Sequence, residues 1–252
     1  MTTTIAVAGK GGTGKTTIAA LLIELLSKKG VVLAIDGDPS SNLNMALGLP
    51  LTDTVGDVRE GMMKAVQSRT LDTSIPKLDY LDMKIAEALV ESKGIDLLAM
   101  GRPEGPGCYC AANNMLRMCL QRITKNYDYM VVDCEAGMEH ISRQTTQDVD
   151  ILLLVSDHTL RGIITAARMK ELIGEMRSSV GRIALVVNRV KDGLSPEIEK
   201  AVRDYDLDLV GLVPVDENVA KLDAEGAPLI DLPSDSPIRL AITDVAKKLN
   251  FT

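Results

Sequence analysis

The sequence predicts an α/β fold in which a mostly parallel sheet carries helices on both faces. Three observations predict it. Short aliphatic and β-branched runs recur along the 252 residues, stretches with apolar residues at helical spacing separate most of them, and the first run ends in a glycine-rich loop. Hydrophobic residues make up 46% of the chain, enough to bury a core. The length allows one large α/β domain or two small ones, and no Pro/Gly/Ser-rich linker or repeat divides it. A single domain over residues 1–252 is the expectation.

The elements follow in order. Thr4–Ala8 reads as the first strand, and Ile18–Leu26 as a helix that stops at Gly30. Val31–Ile35 is the second strand, ending at Asp36. Residues 51–94 are more polar and mostly helical, which suggests an insertion between the second and third strands. Ile95–Met100, Tyr129–Cys134, Ile151–Ser156, Ile183–Asn188 and Leu207–Val213 complete a sheet of seven strands. The last helix, Pro237–Leu249, lines up Ile238, Ile242, Val245 and Leu249 on one face. That stripe reads as core packing, since it lacks the Trp, the Phe-rich face and the dense basic face of an interfacial helix.

Composition excludes several classes. Against 28 Lys+Arg stand 35 Asp+Glu, a net charge of −7, which argues against a dedicated nucleic-acid binder. With one Phe, five Tyr and no Trp, the chain has few rings on which to stack bases or to anchor at a membrane surface. No charged segment precedes an apolar run at the N-terminus, and no stretch approaches about 18 apolar residues. No membrane or nucleic-acid partner is expected, and the expected compartment is a reducing cytoplasm. There the four cysteines read as metal-binding, redox or core groups before they read as disulfides.

The loop after the first strand carries the chemistry. Gly9-Lys10-Gly11-Gly12-Thr13-Gly14-Lys15-Thr16-Thr17 fits a dinucleotide fingerprint, with Asp36 available for a ribose hydroxyl, and it also fits a Walker A phosphate loop. Lys15-Thr16 decides between them. A phosphate loop needs a lysine on the β- and γ-phosphates and a hydroxyl on Mg²⁺, and a dinucleotide site needs neither. Its glycines let backbone N–H groups converge on phosphate at a helix N-terminus. The chain is therefore expected to be a P-loop NTPase.

With Lys10 as a second, early lysine, the loop resembles the deviant Walker A family of septum-site ATPases, plasmid-partition ATPases and the nitrogenase iron protein. The resemblance implies a homodimer closing face to face on ATP, with Lys10 reaching into the partner's site as an arginine finger does. Asp36-Gly37-Asp38-Pro39 resembles switch I, which gives Asp38 the attacking water and puts Asp36 nearer the metal's water shell. Val131-Val132-Asp133-Cys134-Glu135-Ala136-Gly137 resembles the Walker B and switch II stretch, which gives Asp133 a place beside Mg²⁺ through water. Thr16 and Asp38 complete the Mg²⁺ surroundings implied by the resemblance. Val186-Val187-Asn188-Arg189 and Pro214-Val215-Asp216 resemble the two adenine-binding segments. Asn188 does not belong to an Asn-Lys-x-Asp guanine motif, so ATP is expected over GTP.

The loop at about 101–111 is more specific. Cys108 and Cys110 in Gly107-Cys108-Tyr109-Cys110 are two thiolates one residue apart, half of a tetrahedral metal site. A symmetric dimer would supply four sulfurs at its two-fold axis. This loop resembles the cluster loop of the nitrogenase iron protein, but the position comparable to its second ligand, at about Ala136, is not a cysteine, and Cys134 directly follows Asp133. With Ala136-Gly137-Met138-Glu139-His140, it also resembles the CooC-type nickel-insertion ATPases that mature carbon monoxide dehydrogenase and acetyl-CoA synthase. That resemblance implies Ni²⁺ on Cys108 and Cys110, with Zn²⁺ a competitor, and one of those two enzymes as the protein client. Cys119 and Cys134 read as core residues, and His140 and His158 are too scattered for a histidine metal site. The rival readings are a MinD/ParA-type positioning ATPase and an iron–sulfur electron-transfer ATPase, the latter recognisable by a brown colour after anaerobic purification.

Overall fold

A computed structural model of the chain describes residues 1–68, 74–101, 118–135, 148–175 and 179–251. Strand β1 (Thr3–Gly9) leads through the glycine loop into α1 (Lys15–Ser27), followed by β2 (Val32–Asp36), α2 (Leu43–Leu47), α3 (Val55–Gln67) and α4 (Lys77–Ala88). Then come β3 (Val90–Glu91), β4 (Ile95–Ala99), the helical residues 118–124 (α5) and β5 (Tyr129–Asp133). Strand β6 (Asp148–Asp157) precedes α6 (Leu160–Glu175), β7 (Ser179–Val190) and α7 (Pro196–Asp204). Strand β8 (Leu209–Pro214), α8 (Glu217–Glu225) and α9 (Pro237–Lys248) end the chain.

The strands form one eight-stranded sheet in the order β3-β4-β2-β5-β1-β6-β7-β8. Seven strands were expected. The eighth is β3, which pairs antiparallel with β4 through Val90↔Leu97 and Glu91↔Asp96. Two residues are too few to show any periodicity, so the sequence reads them as part of the mostly helical stretch 51–94. All other neighbours run parallel, with β1 in the middle between β5 and β6.

Side chains alternate between two apolar layers, as the pleat requires. In β1, Ala6 and Ala8 face one layer while Ile5 and Val7 face the other. In β6, Leu152 and Leu154 oppose Ile151, Leu153 and Val155 in the same way. The first layer takes Val58 and Met62 of α3, Leu81 and Ile85 of α4, Ile163 of α6 and Ile198 of α7, together with Cys119 and Cys134. The second takes Ile18 and Leu22 of α1, Leu43 of α2, and Ile238, Ile242 and Val245 of α9. Both faces of the sheet are therefore covered, which is why its strands read as continuous apolar runs. The stripe of α9 is spent on α1 and β8. Each of its large aliphatic side chains contributes roughly 2 kcal/mol by leaving water. Among the described residues no helix is long and apolar enough to cross a membrane.

Because β1, β2 and β5 are parallel and adjacent, their carboxyl ends come together. Asp36 and Asp133 are register partners, and Asp133 also pairs with Val7. The glycine loop leaves the same edge.

Candidate nucleotide site

Gly14 has φ 88° and stands at the N-cap of α1. No side chain caps this helix and its first turn carries no acid. Its leading N–H groups are thus left to an anion, and the helix dipole favours one. Thr13 is buried, and its hydroxyl donates to Lys10 O at 2.9 Å. Lys15, the first residue of α1, is buried, whereas Lys10, Gly11 and Gly12 are exposed. Thr16 and Thr17 are half-buried.

The Thr16 hydroxyl donates to Asp133 Oδ2 at 2.6 Å. The other carboxylate oxygen, Asp133 Oδ1, is buried without a hydrogen-bond partner among the described residues. Burial pushes the Asp133 carboxyl up to about 7, and the charges of Asp36 and Asp38 add to the rise. The Thr16 hydrogen bond and the Lys15 charge oppose it. A hydroxyl and a desolvated carboxylate with one empty oxygen suit a hydrated divalent cation. Among the described residues no group of three or more His, Cys, Asp or Glu is placed to hold a metal ion.

Asp36 is also buried, and burial raises its carboxyl as well. Its side chain, however, is occupied. Oδ1 accepts the Asp38 N–H at 3.0 Å and Oδ2 accepts the Leu43 N–H at 2.9 Å. Asp36 therefore braces the 36–43 segment by accepting from its backbone at both ends. Asp38 is half-buried, and its Oδ1 accepts from the backbone and hydroxyl of Ser40 at 2.8 and 2.6 Å. Gly37 donates to Asp133 O at 2.9 Å, and a Cβ there would meet that oxygen at the same distance.

Asn188 ends its apolar run beside the glycine loop. It is buried, its Nδ2 donates to Thr13 O at 2.8 Å, and its Oδ1 accepts the Arg189 N–H at 2.8 Å. Arg189 is exposed and holds φ 59°, an uncommon left-handed conformation for a residue with a side chain. Pro214 is half-buried and Val215 exposed. Asp216 is fully engaged. Oδ1 accepts from the backbone and side chain of Asn218 at 2.9 and 3.0 Å, and Oδ2 accepts from the Ser236 hydroxyl and from Ile238 N–H at 3.4 Å. Asp216 thus caps α8 and α9 together. Burial pushes its carboxyl up, but these hydrogen bonds outweigh burial and hold it below the usual carboxylate range.

Cys119 and Cys134 are buried, and burial pushes both thiols up to about 12, so they are inert core groups. His158 is exposed. Cys108, Cys110 and the Ala136–His140 stretch lie outside the described residues. Two features escaped the sequence reading. Met100 N–H donates to Asp36 O at 2.8 Å, and Met100 O accepts Gly56 N–H at 3.0 Å, so the entry to the cysteine segment is bonded to both the 36–43 segment and α3. Gly101 follows with φ 65°, where a Cβ would meet Thr54 Oγ1 at 2.2 Å. A glycine at a strand end was the available signal.

Comparison with known proteins places this geometry. The sequence profile of the CobQ/CobB/MinD/ParA nucleotide binding domain matches residues 4–229. An uncharacterized ATP-binding protein of Methanocaldococcus jannaschii is 44% identical over 246 residues, covering 97% of each chain. The carbon monoxide dehydrogenase accessory protein CooC of Rhodospirillum rubrum is 32% identical over 241 residues, covering 90% of this chain and 89% of that one. Among solved structures, the MinC:MinD cell division protein complex of Aquifex aeolicus aligns with TM-score 0.73 at 26% identity, covering 100% of this chain and 96% of that one.

Proposed function

This chain belongs to the CobQ/CobB/MinD/ParA family of P-loop ATPases, and from that premise we propose that it is an ATP-driven metallochaperone. It pairs with a second copy of itself on ATP and delivers nickel to carbon monoxide dehydrogenase or acetyl-CoA synthase. The observation that carries this reading is the likeness to CooC along 90% of the chain, in a sequence that contains Cys108-Tyr109-Cys110.

In this reading the N-terminus of α1 and Lys15 hold the β- and γ-phosphates. Thr16 and Asp133 would hold Mg²⁺, with Asp38 alongside. The cation would neutralise phosphate charge. Asp38 orients water toward the γ-phosphorus, whose bond to the bridging oxygen breaks to give ADP and phosphate. Lys10 of the partner subunit steadies the developing charge. Asn188, Arg189 and the Pro214–Asp216 segment flank the base, with Asp216 acting through its backbone. Cys108 and Cys110 from both copies supply four thiolates to one Ni²⁺, the cargo, for which Zn²⁺ competes. Hydrolysis loosens the pair and releases the metal to the client.

Metal stoichiometry with ADP and with a non-hydrolysable ATP analogue, with dimerisation followed in parallel, tests the reading. One Ni²⁺ per pair with the analogue is expected. A Cys108→Ala/Cys110→Ala variant that still bound one nickel per dimer would overturn it. The likeness to MinD favours a second reading, a positioning ATPase. Capture on liposomes or DNA in the presence of ATP would support that alternative. The burial of the α9 stripe against α1 and β8 speaks for the chaperone, because that face is already in use.

A further inference from the structure

We propose that Asn188 is a positioning residue for the phosphate loop, acting on the phosphates through Thr13 and Gly14 whether or not a base is bound. The inference rests on the reading of Gly9–Thr17 as a phosphate loop.

Three observations converge on it. First, the Asn188 amide is already committed within the protein. Nδ2 donates to Thr13 O and Oδ1 accepts from Arg189 N–H, both at 2.8 Å, and the residue is 4% exposed. A buried amide that loses a partner costs more than the bond it made, so this arrangement resists displacement by a ligand. Second, Gly14 leaves the space that the amide fills. A Cβ on Gly14 would meet Asn188 Nδ2 at 2.4 Å, in addition to the strain of φ 88°. The glycine that caps α1 is thereby matched to the asparagine, not only to phosphate. Third, Arg189 accepts φ 59° and directs its N–H to Asn188 Oδ1. Such strain persists where surrounding structure fixes it.

The chain of contacts continues to Lys10. Thr13, held by Asn188, donates its hydroxyl to Lys10 O at 2.9 Å, and its N–H reaches the same oxygen at 3.4 Å. The strand register adds the frame. Asn188 pairs with Asp157 on β6, and β6 pairs with Gly9 through Val155. Asn188 thus ties the far side of the loop to β7, while the near side is fixed by β1. One hydrogen of Nδ2 is left over for a base edge, so an adenine contact and the loop contact can coexist.

Inorganic tripolyphosphate with Mg²⁺, which has no base, separates the two roles. Affinities of the full-length chain for tripolyphosphate and for ATP are measured by calorimetry for the wild type and for Asn188→Ala. Both are expected to weaken by about tenfold, the value of one well-made buried hydrogen bond. The ligand-free melting temperature is recorded alongside. Asn188→Ser, which keeps a polar atom but is too short to reach Thr13 O, serves if the alanine variant does not fold, with the same expectation. Weakened ATP binding with unchanged tripolyphosphate binding would overturn the inference and leave Asn188 with the base alone. Unchanged binding of both would overturn it as well. Failure of the unaltered chain to bind either probe would remove the phosphate-loop reading and the inference together.

Discussion

Two buried aspartates end strands on the same edge of the sheet, and they are in opposite states. Asp216, beyond β8, accepts from Asn218, Ser236 and Ile238 on both oxygens and stays below the usual carboxylate range. Asp133, at the end of β5, accepts from Thr16 on one oxygen, has no partner among the described residues on the other, and is pushed up to about 7. The protein satisfies the charge of one internally and leaves the other for something outside the chain. A buried carboxylate that the fold does not neutralise is a candidate functional group, and this one stands beside the glycine loop. Asp36 lies between these cases: buried and raised, yet bonded to the backbone on both oxygens.

The largest expected effect follows directly. Asp133→Ala should lower steady-state ATP hydrolysis by at least about a hundredfold, the scale of losing one group that organises charge around a transferring phosphate. Asp216→Ala should instead cost about 3 kcal/mol of stability in denaturant melts, through two lost caps, with hydrolysis per folded molecule changed less than about threefold. A hydrolysis loss as deep as that of Asp133→Ala would erase the contrast and place the Asp216 side chain at the base.

The pH dependence sharpens it further. Asp133 titrates near 3.8 unfolded and about 7 folded. Between those values the folded chain holds a proton that the unfolded chain does not. Its contribution to stability is therefore fully present below the lower value and lost as pH rises through the upper one. Asp133→Asn should then stabilise the ligand-free chain by about 2 kcal/mol at pH 8, with the gain gone at pH 4, as thermal melts across that range would show. The smallest effect is Ser236→Ala, which removes one of several donors to Asp216 and should cost about 1 kcal/mol by the same melts.

Much of this was legible in the sequence, and the reasons are physical. The loop Gly9–Thr17 and the strand runs are local patterns whose meaning lies in adjacent residues. Residues 179–182 extend β7 before the expected start at Ile183, because Gly181 and Arg182 break the apolar run while the backbone stays paired to β6. Contacts between distant residues were not legible. Nothing in the spacing reports that Asn188 reaches Thr13, 175 positions earlier, or that Asp216 bonds Ser236. For the same reason the segments at Asn188 and Asp216 read from sequence as ligand contacts alone, whereas their side chains hold the loop and two helix starts.

The two-residue strand β3 has a consequence for assembly. It covers the outer edge of β4, then gives way to Ser92 and a left-handed Gly94. An open edge is a template on which another chain can extend the sheet, and a long flat one invites aggregation. Here the template is only two residues long, so a second copy would gain few ladder bonds by lying against it. A short antiparallel fragment thus guards a parallel sheet against unwanted growth on that side.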